Sequence, residues 1–301
     1  MKVEVAGVTL KSPVIAASGT FGYGVEFEEI LNLSRIGGFV TKGLSLHPMD
    51  GNKAPRVIET AAGMMNAIGL QNIGVDAFIA DKLPAIRRMR DVVCIANVFG
   101  YTIEDCVAVI EKLNAADGIA MYELNASCPN TKHGGMVFGT DPESLGDLVH
   151  ACKRVSARPL MVKLSPNVTN IGGMARVAEA AGADAVSLVN TFLALSIDVK
   201  TRKPRIANVT AGLSGPAIKP IAVRMVWEVA RSVQIPVVGM GGITRAEDAV
   251  EFLLAGATAV EVGTASYADP RAVEKITMAL ENWCAGNEMA SVRELTGSLR
   301  T

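Results

Sequence analysis

The reactive side chains of this sequence stand where packing alone does not require them. Cys128 lies in the polar, proline-broken segment Asn125-Ala-Ser-Cys-Pro-Asn130. A loop thiol between two asparagines can act as general base or nucleophile once its pKa suits the task. The other cysteines read differently: Cys94 sits in an apolar run, Cys106 and Cys152 on helical faces, and Cys284 near the end as an incidental thiol. Lys163 interrupts the apolar run Met161-Val-Lys-Leu-Ser165. A lysine is almost never fully buried unpaired, so it must meet an anion or a reacting group. It could be a Schiff-base amine, its pKa lowered by desolvation. It could equally be an ammonium that stabilises negative charge on a reduced cofactor, or a lysine at a ragged strand end reaching solvent. Lys42 invites the first two readings, with an anionic substrate group as its partner. Gly241-Gly242 and Gly263-Thr264 would let backbone N–H groups approach a phosphate; each pair in isolation also suits a tight turn.

Positioning such groups needs a repeating scaffold, and short apolar runs alternate with helical patterns from end to end. Strands are predicted at Pro13–Ala17, Gly38–Lys42, Val92–Val98, Met121–Asn125, Leu160–Leu164, Ala185–Val189, Val237–Gly239 and Ala259–Val262. They are continuous and rich in Val, Ile and Leu, the pattern of strands buried on both faces. Eight such strands separated by helices predict an α/β fold, a (β/α)8 TIM barrel, as one domain over residues 1–301. Val3–Val5 and Val8–Leu10, joined through Gly7, read as a short hairpin closing the barrel bottom. Asp141-Pro142 predicts a helix start whose buried face carries Leu145, Leu148, Val149, Cys152 and Val155. Thr244 and Glu247 have capping-box spacing, and Gly182 and Gly256 stand where helices must end in a left-handed turn. Stretches 45–63 and 191–212 are long for βα loops and read as lids or binding loops over the active site. The stretch Gly63-Met-Met-Asn66 with Asn66-Ala-Ile-Gly-Leu70 reads as an apolar, amide-bearing loop that could cover a planar ligand or simply pack under a lid.

Active sites of such barrels lie at the carboxyl ends of the strands. Read that way, Ser18, Lys42-Gly43, Asn97, Asn125 with Cys128 and Asn130, Lys163, Asn190-Thr191, Gly241-Gly242 and Gly263-Thr264 converge on one face. Loops after the seventh and eighth strands are the usual phosphate site of the fold, which favours the phosphate reading of the glycine pairs over simple turns.

Bulk properties narrow the class. In 301 residues, 29 Lys and Arg stand against 30 Asp and Glu, so no basic excess indicates nucleic acid. Five cysteines without C-x-x-C spacing read as reduced thiols in a cytoplasmic protein. The opening MKVEVAGVTL has no signal-peptide pattern, and no apolar run reaches membrane-spanning length. No His, Asp or Glu cluster has metal-ligand spacing, and no G-x-G-x-x-G follows a strand. His47 and His150 read as surface residues, and His133 as a substrate or solvent contact.

At these motifs the sequence resembles the catalytic subunit of class 1B, NAD-linked dihydroorotate dehydrogenases. The segments that carry the resemblance are Thr41-Lys-Gly43, Asn66-Ala-Ile-Gly-Leu-Gln-Asn72, Asn125-Ala-Ser-Cys-Pro-Asn130, Lys132-His-Gly-Gly135, Phe138-Gly-Thr-Asp-Pro142, Leu213-Ser-Gly-Pro-Ala217, Val238-Gly-Met-Gly-Gly-Ile243 and Val262-Gly-Thr264. It covers nearly the whole chain; Ala126 departs from a commonly larger aliphatic residue. The resemblance implies FMN, held by Ser18, Lys42, Gly43, Asn97, Asn125, Lys163, Val189, Gly215, Gly241, Gly242, Gly263 and Thr264. It implies a dihydroorotate site of Lys42, Asn66, Ala67, Ile68, Gly69, Leu70, Asn125, Asn130, Asn190 and Thr191. Cys128 would take a proton from C5 of dihydroorotate, a hydride would pass from C6 to N5 of the flavin, and Lys163 would stabilise the resulting charge. A homodimeric core with two electron-transfer subunits carrying FAD and a [2Fe–2S] cluster, which reduce NAD, is the implied assembly. Class 1A relatives use fumarate; the Lys132-His-Gly-Gly135 segment and the Asn66 loop resemble class 1B better.

Three other readings remain at this point. One is another cysteine-using FMN barrel that reduces pyrimidines, against which Lys42 and the Asn66 loop argue for a carboxylate-bearing substrate. The second is a Schiff-base aldolase built on Lys163. The third is a non-catalytic phosphate-binding barrel, which has no use for Cys128.

Overall fold

The computed structural model describes residues 1–89, 91–127, 129–130 and 136–300. Eight parallel strands pair in chain order and close on themselves: Val14–Ala16, Gly38–Val40, Val93–Val98, Met121–Asn125, Leu160–Lys163, Ala185–Leu188, Val237–Met240 and Ala259–Val262. The eighth pairs with the first through Val260↔Val14, Glu261↔Ile15 and Val262↔Ala16, completing the barrel. Every predicted strand is present, with ends shifted by at most two residues; the second stops at Val40, so Lys42 lies just beyond it. These runs form strands because β-branched and aliphatic residues fill both faces, one against the barrel interior and one against the helices.

The predicted hairpin of Val3–Val5 and Val8–Leu10 forms, with Val3 opposite Leu10 and Val5 opposite Val8. Its Val3, Val5 and Leu10 join the main core, a cluster that extends to Leu295. Helix Pro142–Val155 starts as predicted: the Asp141 carboxylate accepts the Ser144 N–H at 2.8 Å. Leu145, Leu148, Val149 and Cys152 are buried beneath it, and Val155 is half-buried. Gly182 and Gly256 adopt φ of 102° and 116°, the turn that lets each preceding helix end and the next strand begin.

Two expectations are corrected. The capping residue of helix Ala246–Leu254 is Asp248, not Glu247. The Asp248 carboxylate accepts N–H bonds from Thr244 and Arg245 at 2.8 and 3.1 Å, and the Thr244 hydroxyl at 2.9 Å. The helix begins one residue later than the Thr244/Glu247 spacing implied, which transfers the acidic role to the next side chain. Secondly, Gly63–Asn66 is a strand, not a loop. It belongs to a four-stranded antiparallel sheet ordered Phe192–Leu195, Thr210–Ser214, Gly63–Asn66, Val57–Thr60. The two long βα loops therefore pair with each other. Met65, Ile206 and Ala211 form a small separate core beneath that sheet.

Candidate active site

Strand alternation aims Asn97, Glu123, Lys163, Ser187 and Glu261 into the barrel interior, where all five are buried. Asn97 Nδ2 donates to Glu123 Oε1 at 2.6 Å, and Ser187 Oγ donates to Glu123 Oε2 at 3.0 Å. Lys163 Nζ lies 3.4 Å from Glu123 Oε1 and 3.5 Å from Glu261 Oε2. Burial alone would favour a neutral amine, but Glu123 and Glu261 outweigh it and raise the Lys163 pKa above its ordinary value. A Schiff-base lysine needs the opposite shift, so the aldolase reading fails on its own central residue. Burial, followed by the charge of Glu123, pushes Glu261 well above the usual carboxylate range. Neither glutamate was singled out from the sequence. The signal that revealed Lys163, a charge inside a buried strand, was present at both.

Above this floor lies a cavity of about 380 Å³, a size suited to a small organic ligand. It is lined by Ser18, Lys42, Gly43, Asn66, Ala67, Ile68, Gly69, Leu70, Asn97, Asn125, Lys163, Val189, Asn190, Thr191, Gly215, Gly241, Gly242, Gly263 and Thr264. The structure thus gathers into one cavity every predicted site residue whose side chain it describes. Cys128 and the segment 131–135, with His133, lie outside the described residues, as does the side chain of Asn130. Ser127, Ser214 and Met240 also line the cavity and were not anticipated. Among the described residues no cluster of His, Cys, Asp or Glu could hold a metal ion.

One wall is made of amides and hydroxyls. Asn190 Nδ2 donates to Ser127 Oγ at 2.8 Å and to Asn125 Oδ1 at 3.3 Å. The Asn125 oxygen also accepts the Ser127 N–H at 3.1 Å, and Asn190 Oδ1 accepts the Thr191 N–H at 2.9 Å. These bonds fix the amides before any ligand arrives. Lys42 stands nearby, and among the described residues its ammonium has no carboxylate partner. Burial, and then the Arg56 charge, hold its pKa below the ordinary lysine value, so an incoming carboxylate would be stabilised by it and would restore its affinity for the proton. The roof loop turns over this wall through Gly69 and Leu70, at φ 74° and 59°. A left-handed leucine costs about 1–2 kcal/mol, and such strain persists where the surroundings over-determine it, often at ligand clamps.

The opposite wall is a bare-backbone cradle. Gly241 and Gly242 take φ of 129° and 78°. A Cβ on Gly241 would come within 2.8 Å of the Ala222 side chain, and one on Gly242 within 2.7 Å of the Gly215 carbonyl oxygen. Thr264 Oγ1 donates to Ser214 Oγ at 2.8 Å, which ties the eighth strand end to the roof sheet. A side chain at either position would press on the surrounding protein, so both positions are restricted to glycine, and both line the cavity.

Fold and cavity together define a (β/α)8 barrel whose cavity has a glycine-rich wall at the seventh and eighth strands and a polar wall at the fourth to sixth. Comparison with known proteins narrows this. The family model described as dihydroorotate dehydrogenase matches residues 1–283. A protein of Solibacter usitatus, "Putative dihydroorotate dehydrogenase A (fumarate)", is 57% identical over 300 residues, covering 100% of this chain and 98% of its own. The "Dihydroorotate dehydrogenase B (NAD(+)), catalytic subunit" of Pelobacter propionicus is 54% identical, covering 99% and 98%; that of Geobacter sulfurreducens is also 54% identical with the same coverage. The dihydroorotate dehydrogenase of Eimeria tenella, solved with ferulenol, shares the fold with a TM-score of 0.82 at 21% identity, over 99% of this chain and 88% of that one. The chain belongs to the dihydroorotate dehydrogenase family and is an oxidoreductase.

Proposed function

We propose that the chain is the catalytic subunit of an NAD-linked dihydroorotate dehydrogenase, which oxidises dihydroorotate to orotate in pyrimidine biosynthesis. The observation that carries this is the pairing, across one cavity, of a glycine-rich wall with an amide wall and with Lys42, which has no carboxylate partner among the described residues. The cradle at Gly241, Gly242, Gly263 and Thr264 suits the phosphate of FMN, because glycine backbone free of side chains lines the cavity at the ends of the seventh and eighth strands. Ser18, Lys42, Gly43, Asn97, Asn125, Lys163, Val189 and Gly215 complete that cofactor's site. When bound, FMN supplies the hydride acceptor.

Lys42 holds the carboxylate of dihydroorotate. Asn66, Asn125, Asn130, Asn190 and Thr191 hydrogen-bond the pyrimidine edge, and residues 67–70 close over it. Cys128 takes the proton from C5. Lys163, kept charged by its two carboxylates, faces the negative charge that arises when the substrate is oxidised. The roof sheet excludes water from the reacting centre.

The electrons then leave through a partner subunit with FAD and a [2Fe–2S] cluster, bound to a homodimeric core in the cytoplasm. Two relatives named as NAD-linked catalytic subunits support that acceptor. Among the described residues no helix is long and apolar enough to cross a membrane. The Solibacter relative, named for fumarate, favours a second reading in which the chain works without a partner. Acceptor assays separate the two. Dihydroorotate oxidation by the isolated chain should not be driven by fumarate, and should be coupled to NAD+ once the partner is added. Rapid turnover with fumarate by the isolated chain would replace the NAD-linked reading with the fumarate one.

A further inference from the structure

The barrel interior beneath the cavity holds three ionisable groups from strands that are not all neighbours. Glu123 and Lys163 come from the adjacent fourth and fifth strands, and Glu261 comes from the eighth, across the barrel. The first, second and seventh strands, Val14–Ala16, Gly38–Val40 and Val237–Met240, contribute no titratable side chain. The third and sixth contribute the neutral Asn97 and Ser187. With all three groups ionised, two carboxylates and one ammonium would leave an uncompensated negative charge buried in the barrel, at a cost of several kcal/mol.

The two carboxylates are not equivalent. Glu123 accepts from Asn97, Ser187 and Lys163. Both oxygens of Glu261 are buried without a hydrogen-bond partner. Lys163 approaches Glu261 only at 3.5 Å, as an electrostatic neighbour. The donors are therefore arranged around Glu123 as the anion, and Glu261 is left with the environment of a neutral acid.

We propose that Glu123 and Glu261 are positioning residues for Lys163: the cluster keeps zero net charge by storing one proton on Glu261, so that the Lys163 ammonium is held at the cavity floor with no excess negative charge behind it. An extra anion there would oppose the negative charge that the reaction generates above it. The proton makes the floor tolerant of that charge while Glu123 keeps Lys163 protonated. The proton is held in reserve and is not transferred to substrate. The functional part rests on the dihydroorotate dehydrogenase reading; the charge state of the cluster does not.

Infrared spectroscopy of the chain without cofactor or substrate reads that charge state directly. The wild type at neutral pH should show the C=O stretch of a buried carboxylic acid, and Glu261→Gln should abolish it. Glu123→Gln should abolish it too, because Glu261 then ionises as the one remaining counter-charge of Lys163. No such band in the wild type, or a band that survives Glu261→Gln, overturns the proposal. A band that survives Glu123→Gln overturns the charge-sharing that defines it. If Glu123→Gln fails to fold, the Glu261→Gln comparison still decides. After loading with FMN, Glu261→Gln should keep the wild-type cofactor midpoint potential and its pH profile, since an amide replaces an acid that was already neutral. A marked shift in either would overturn the positioning role. Because the infrared result needs neither flavin nor dihydroorotate, failure of this proposal is distinguishable from failure of the assigned reaction.

Discussion

The floor of the cavity is made by strands that pair with their neighbours in chain order, and its roof by two loops that pair with each other across more than a hundred residues. The floor lies within a continuous core that spans most of the chain, and its ionisable groups, Glu123, Lys163 and Glu261, are buried together. The roof has its own core of Met65, Ile206 and Ala211, and leaves Leu193, Leu195 and Ile197 exposed. Large continuous cores resist local opening, whereas small satellite clusters open at lower free energy. The difference fits the two tasks: a floor that must hold charge in a fixed place, and a roof that must admit substrate and then exclude water.

The largest expected effect belongs to neither region. Cys128→Ala should slow flavin reduction by dihydroorotate by about 10²–10⁴-fold, the usual contribution of a positioned base. FMN and orotate binding should be largely retained, because floor and roof are untouched. Stopped-flow reduction with an orotate titration checks this, and an unchanged rate would remove Cys128 from the chemistry.

The stability contrast itself is tested by a pair of truncations. Leu160→Ala in the barrel and Ile206→Ala in the roof remove comparable buried groups, each worth about 2–5 kcal/mol where the site cannot collapse. Leu160→Ala should lower the global unfolding midpoint. Ile206→Ala should instead speed hydrogen exchange in Gly63–Asn66 and Thr210–Ser214, raise KM for dihydroorotate, and move the midpoint little. Equal midpoint shifts would mean that floor and roof unfold as one unit.

Within the cradle, Gly242→Ala places a methyl against the Gly215 carbonyl at a φ unfavourable to alanine. FMN affinity should fall by about tenfold or more, which corresponds to about 1.4 kcal/mol. Fluorescence titration of the chain with FMN measures it.

The smallest effect concerns the helix behind that cradle. Burial disfavours the charged Asp248, but the Lys219 ammonium and the Thr244 N–H and hydroxyl outweigh it, so its pKa lies below the model-compound value of 3.8. A carboxylate with a depressed folded-state pKa stabilises above its unfolded pKa, and the contribution is lost as pH falls through the folded value. Asp248→Asn should therefore cost about 1 kcal/mol at neutral pH, with the gap closing below pH 3.8. Denaturant unfolding at several pH values reads this, and a gap independent of pH would assign the effect to packing.

The contrast between floor and roof also explains what could be read in the amino acids. Barrel strands announce themselves locally, since runs such as Leu160–Lys163 and Ala185–Leu188 are buried on both faces. The ends of those strands then located Lys42, Asn97, Asn125 and Asn190. The roof did not announce itself, because Gly63–Asn66 becomes a strand only through partners at Gly212–Ser214. Glu123 and Glu261 carried the same signal as Lys163, a charge inside an apolar run, but what they do depends on a barrel closure that brings the eighth strand within reach of Lys163. The Asp248 cap was displaced by one position because Glu247 and Asp248 are both acidic, and only the observed helix start selects between them.

The central claim is tested most directly by the visible spectrum of the FMN-loaded protein before and after anaerobic addition of dihydroorotate. Bleaching of the flavin band with formation of orotate is the predicted result. A flavin band that binds but does not bleach would contradict dihydroorotate as the substrate, and a protein that takes up no FMN would contradict the cofactor site at Gly241, Gly242, Gly263 and Thr264.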